Sequence, residues 1–66
     1  MTFKTNTNKK FVLSLNIDVD MVLYDINITV TLYNRNNGSR QQTKYRADQL
    51  QQAIEQYNQL NNIIFN

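Results

Sequence analysis

The 66-residue chain contains no cysteine, histidine, proline or tryptophan, and only one glycine. Without Cys or His there is no disulfide framework, thiolate zinc site, catalytic thiol or imidazole base. One glycine cannot build either of the phosphate-binding glycine signatures. Ser14 and Ser39, the only serines, have no histidine to activate them. No apolar run approaches the ~18 to 20 residues that cross a bilayer, and no signal peptide opens the chain. These absences lead us to expect a non-enzymatic cytoplasmic protein without cofactor or metal.

What is present defines one small domain. Hydrophobic residues make up 41% and charged residues 18%, too apolar for a disordered chain. Eleven Asn and seven Gln outnumber any single acidic or basic type, an amide-rich bias that suggests an AT-rich genome. The net charge of +2 is modest for a protein holding nucleic acid by phosphate contacts alone. The charges are segregated: Lys4, Lys9 and Lys10, then Asp18, Asp20 and Asp25, then Arg35, Arg40, Lys44 and Arg46. Such blocks mark either a docking surface or ordinary solvated faces.

Residues 1–10 carry one large apolar side chain, Phe3, and read as a flexible basic arm or a short edge strand. Residues 11–66 read as a single sheet-plus-helix domain. Phe11, Leu13, Leu15, Ile17 and Val19 alternate with polar neighbours over 11–20, the period of a half-buried strand. A second alternation, Ile26, Ile28, Val30 and Leu32, predicts a strand over 26–34, and a third strand is expected over 40–45. Asn37-Gly38 is the preferred pair for a two-residue type I′ turn. That turn would set Val30 opposite Tyr45, Leu32 opposite Thr43, Tyr33 opposite Gln42 and Thr31 opposite Lys44. The first reversal allows two arrangements. Met21 and Leu23 extend the first strand so that Met21 faces Ile28, or Met21-Val22-Leu23-Tyr24 forms an apolar loop tip.

Leu50, Ala53, Ile54, Tyr57, Leu60 and Ile64 lie on one helical stripe, predicting a helix over 48–61. Asp48 and Gln51 have capping-box spacing. Asn61-Asn62 should fray the end and leave Ile63, Ile64 and Phe65 as an apolar tail. The expected architecture is α+β: a three-stranded antiparallel meander covered by one C-terminal helix, β-β-β-α. Leu13, Leu15, Ile28, Val30, Leu50, Ile54 and Tyr57 are its expected core.

Asp18 and Asp20 share a strand face, but no third ligand beyond Asp25 accompanies them and the calcium-loop glycine is missing. Tyr33 among Arg35, Arg40, Lys44 and Arg46 on the outer sheet face is a pattern suited to single-stranded nucleic acid. Val22 and Tyr24 tend outward in either arrangement of the first reversal, which suits a protein partner. In size, amide-rich composition and strand-hairpin-helix order ending in RADQLQQAIEQYNQL, the chain resembles small accessory proteins of phages and mobile elements, including anti-CRISPR-type inhibitors. That resemblance implies stoichiometric binding to a host defence protein, and it transfers no functional residues. The expected function is therefore protein binding through Val22, Tyr24, Tyr33, Arg35, Arg40, Lys44 and Arg46. The alternatives are nucleic-acid binding by the basic outer face, and a structural subunit that self-associates, as in a homodimer.

Overall fold

The computed structural model describes residues 1–65. Four strands, β1 (Thr2–Thr7), β2 (Phe11–Asp20), β3 (Asp25–Asn34) and β4 (Arg40–Arg46), are followed by a 3-10 turn at Ala47–Gln49 and one helix, α1 (Leu50–Phe65). The strands pair antiparallel in chain order, and α1 packs on one face of the sheet, an α+β fold. The meander thus has four strands rather than the three predicted. Of the two expectations for residues 1–10, the edge strand is what forms. It runs along β2 from Lys4↔Leu15 to Thr7↔Val12, with an irregularity between Thr2 and Lys4.

The period-two pattern assigns the faces. Leu13 and Leu15 of β2 and Ile28 and Val30 of β3 are buried against Ala53 and Tyr57 of α1. Ile17, Leu32, Tyr45, Leu50, Ile54, Leu60 and Phe65 pack around them, so all seven expected core residues meet. Each fully buried aliphatic side chain contributes ~1.5 to 3 kcal/mol, which makes this cluster the main stabilising element. Amides seal its edge: Tyr45 Oη donates to Gln56 Oε1 at 2.6 Å, and Gln56 Nε2 donates to Thr43 Oγ1 at 3.1 Å. Burial also raises the pKa of the Tyr57 hydroxyl above its ordinary value, because the phenolate would be poorly solvated there.

The β3–β4 register differs from the expected one by two residues. Ile28 lies opposite Tyr45, Val30 opposite Thr43, Leu32 opposite Gln41 and Tyr33 opposite Arg40. The cause is a longer turn. Asn34 and Ser39 close it, with Asn34 N donating to Ser39 O at 2.8 Å, so Arg35–Gly38 form a four-residue loop. Gly38 alone takes a positive φ there, 75°, whereas a type I′ turn would require one at Asn37 as well. A slip of two preserves every side chain's face, which is why the core stands despite the changed partners.

The β2–β3 hairpin takes the loop-tip arrangement. Ile17 faces Ile28 and Asp20 faces Asp25, leaving Met21–Tyr24 as the loop and excluding the Met21–Ile28 pairing. At the same end of the sheet, beside Asn27, the helix begins after Arg46, whose backbone N–H donates to Gln49 Oε1 at 2.9 Å. This bond stands in place of the expected Asp48–Gln51 box. The helix also continues through Asn61-Asn62 to Phe65. Asn61 Oδ1 accepts from Asn6 Nδ2 at 2.8 Å, and Phe65 joins the core, so the expected loose tail is ordered helix with Ile63 exposed. Among the described residues no helix is long and apolar enough to cross a membrane.

Ten-residue strands rising ~3.3 Å per residue account for the longest dimension of the molecule, 37 Å. The two ends of the β2–β3 ribbon are therefore well separated, and α1 lies between them.

Candidate functional site

The tip of the β2–β3 hairpin gathers the exposed apolar side chains. Met21, Val22, Leu23 and Tyr24 all face solvent, Val22 at 86% and Tyr24 at 90% exposure. Val19 and Ile26, paired across the ribbon, extend this surface along the core side of the sheet where α1 no longer covers it. These six neighbouring large apolar residues left in water on so small a domain form one exposed patch rather than scattered exceptions. Alternation alone turns Val22 and Tyr24 outward. The same alternation reads Val19 and Ile26 as core, yet both are exposed in the fold.

Local backbone chemistry holds the tip in shape. Asp20 Oδ1 accepts the backbone N–H groups of Val22 at 3.0 Å and Leu23 at 3.1 Å, an Asx-type cap. Tyr24 then adopts φ 52°, the sole non-glycine residue with positive φ among those described. That left-handed conformation costs an L-residue about 1–2 kcal/mol. Asp18, Asp20 and Asp25 surround the base of the tip, and no cation occurs between residues 18 and 26. The carboxylates are occupied locally. Asp18 Oδ1 accepts from the Met1 amino group at 2.9 Å, and Asp25 Oδ1 accepts from Ile26 N at 2.9 Å. Among the described residues no three His, Cys, Asp or Glu side chains converge as a metal site.

The remaining expected site residues divide between two places. Tyr33, Arg40, Lys44 and Arg46 share the outer sheet face by register, and Arg40 Cζ lies 5.7 Å from the Tyr33 ring centroid. Lys44 stands beside Thr29, while Arg46 Nε approaches Asp48 Oδ1 at 3.4 Å. Arg35 does not belong to that face, contrary to expectation, because the four-residue loop moves it off the strand. Its Nη1 donates to Asn8 O and its backbone N–H to Lys10 O, at 2.9 and 2.8 Å, tying two neighbouring turns together. The outer face is thus a polar surface with one aromatic platform, and it runs from Tyr33 and Arg40, at the end away from the tip, to Arg46 beside Asn27, close to the tip.

A third feature lies at the end of the sheet opposite the tip. Phe11, Leu32, Asn34, Ser39 and Gln41 line an open hollow of about 330 Å³. None of its lining residues belongs to α1, an arrangement that no local pattern in the sequence reveals. Lys10 Nζ lies 5.4 Å from the Phe11 ring centroid, placing a cation at its rim. Comparison of the chain with protein-family models, curated proteins and solved structures gave no match.

Proposed function

We propose that this chain is a non-enzymatic protein-binding module that docks through the Met21–Tyr24 tip. One observation carries the reading: Tyr24 is held in a left-handed conformation and is almost wholly exposed. A glycine at that position would relieve the strain, and a polar loop would hold the same turn. Strain retained at a solvent-facing aromatic is characteristic of positions used for contact. Tyr with flanking aliphatic groups is also the composition of binding hot spots. The acidic rim suits an apolar pocket bordered by Lys or Arg. The wider role we propose is inhibition of a host defence protein by stoichiometric binding, on behalf of a phage or mobile element. It is supported by the chain's size and sheet-plus-helix layout, which resemble those of anti-CRISPR-type inhibitors.

Capture from lysate of a low-GC bacterium tests the docking element. A protein retained by the wild-type chain should be lost with Val22→Asp/Tyr24→Asp and kept with Lys44→Glu. Retention insensitive to the tip would overturn the assignment. A second reading, binding of single-stranded nucleic acid, is favoured by Arg40 over Tyr33 with Lys44 nearby. It predicts affinity falling steeply with salt, and loss on Tyr33→Ala.

A further inference from the structure

The two ends of the molecule are complementary in shape and in charge. The tip end carries a projecting apolar knob and the acids Asp18, Asp20 and Asp25; the Met1 amino group pairs with Asp18 there and Arg46, beside Asn27, pairs with Asp48, which leaves that end acidic in balance. The opposite end carries the Phe11–Leu32 hollow between two turns. Those turns supply Lys9, Lys10 and Arg35, and residues 8–11 and 33–41 contain no acid. The ten-residue strands of the β2–β3 ribbon hold these ends apart along the 37 Å length of the molecule, so opposite charges meet between copies and not within one.

We infer that the chain associates head to tail, the apolar tip of one copy seating in the basic-rimmed hollow of the next. The inference rests on the tip being a docking element and names a second copy as an occupant for it. The hollow's volume falls at the lower end of the ~300 to 1,000 Å³ range of pockets that hold small ligands. An acidic rim set against a basic rim selects this orientation, since tip against tip would bring like charges together. Such a contact is heterologous: each copy keeps one free tip and one free hollow, and association continues beyond two chains. Assembly then competes with any other protein for the tip.

Light scattering across a concentration series at low salt, with two charge-reversed variants, tests this. The tip variant is Asp18→Lys/Asp25→Lys, and the hollow variant is Lys9→Glu/Lys10→Glu. Asp20 and Arg35 are left in place because they hold turns. The wild-type mass should rise past two chains with concentration and return to one chain as salt shortens the range of charge attraction. Each variant alone should stay at one chain, and an equimolar mixture should assemble again, which also shows that both are folded. A wild-type mass constant at one chain would overturn the inference. So would a mass that stops at two chains, or a mixture that fails to assemble. Lys9→Glu/Lys10→Glu leaves the tip intact, so retention of a captured protein by this variant separates failure of self-association from failure of the docking assignment.

Discussion

The β2–β3 and β3–β4 hairpins solve the same geometrical problem with opposite chemistry. Both turns have four loop residues, Met21–Tyr24 in one and Arg35–Gly38 in the other. Each is preceded by an Asx residue whose Oδ1 accepts two backbone N–H groups, from Val22 and Leu23 for Asp20, and from Asn36 and Asn37 for Asn34. Each ends on a left-handed residue, Tyr24 at φ 52° and Gly38 at φ 75°. The glycine takes that conformation without steric cost, whereas the tyrosine does not. The polar loop is further anchored by Arg35 to the neighbouring turn and by Ser39 N to Asn37 Oδ1 at 2.8 Å. One loop is built for the fold, and the other holds apolar side chains in water on an equivalent frame.

The strand shared by both hairpins gives the largest expected effect. Ile28 lies between Ile17 and Tyr45 and is 2% exposed, so Ile28→Ala should cost ~2 to 5 kcal/mol. Urea denaturation should show both hairpins lost in a single transition. Next, Gly38→Val should destabilise by ~1 to 2 kcal/mol in the same assay. A Cβ at Gly38 meets nothing within 4 Å, so this loss measures backbone conformation alone. Removing the Asx caps compares the frames directly: Asp20→Ala and Asn34→Ala should each cost roughly 1 kcal/mol, by thermal or urea unfolding. A much larger loss at Asn34 would show that Arg35 depends on that cap. Tyr24→Gly should act in the opposite sense, stabilising by about 0.5 kcal/mol as relief of strain outweighs added freedom of the unfolded chain, while capture of the partner is lost.

The smallest effect separates the tip from the body of the fold. Burial raises the Tyr57 pKa, so the folded state holds its proton more tightly than the unfolded chain. The stabilisation is fully present below the ordinary tyrosine pKa of ~10 and is lost as pH rises through the raised folded value. Tyr57→Phe should flatten the alkaline fall in melting temperature, while Met21→Ser and Val22→Ser should leave it unchanged.

Period-two alternation made the faces of β2 and β3 legible, and with them Leu13, Leu15, Ile28 and Val30. It is blind to a slip of two residues, so the partners of β4 were misread. The Asn37-Gly38 pair carried the signal of a tight turn, but the side chain of Asn34 outcompetes it by capping a longer loop from outside. β1 lacks an apolar alternation altogether. Its backbone pairs with β2, and Lys4 Nζ lies 5.8 Å from the Tyr57 ring centroid, a contact between distant positions that local periodicity does not encode. The candidate site was legible in part: Val22 and Tyr24 stood out as apolar residues at a chain reversal. The conformation of Tyr24 becomes visible only when the Asp20–Tyr24 spacing is set beside Asn34–Gly38. The hollow is lined by residues of three strands and a turn, which no single segment displays.

The side-chain hydrogen bond from Asn6 to Asn61 joins residues 55 positions apart and fastens the outermost strand to the last turns of the helix. β1 is an edge strand and the last turns of α1 are a helix end, and such elements ordinarily fray independently. Here, opening of one removes a partner from the other, so β1 and the end of α1 behave as one cooperative unit of local unfolding. Amide hydrogen exchange would register them with a common protection, distinct from that of the central hairpins.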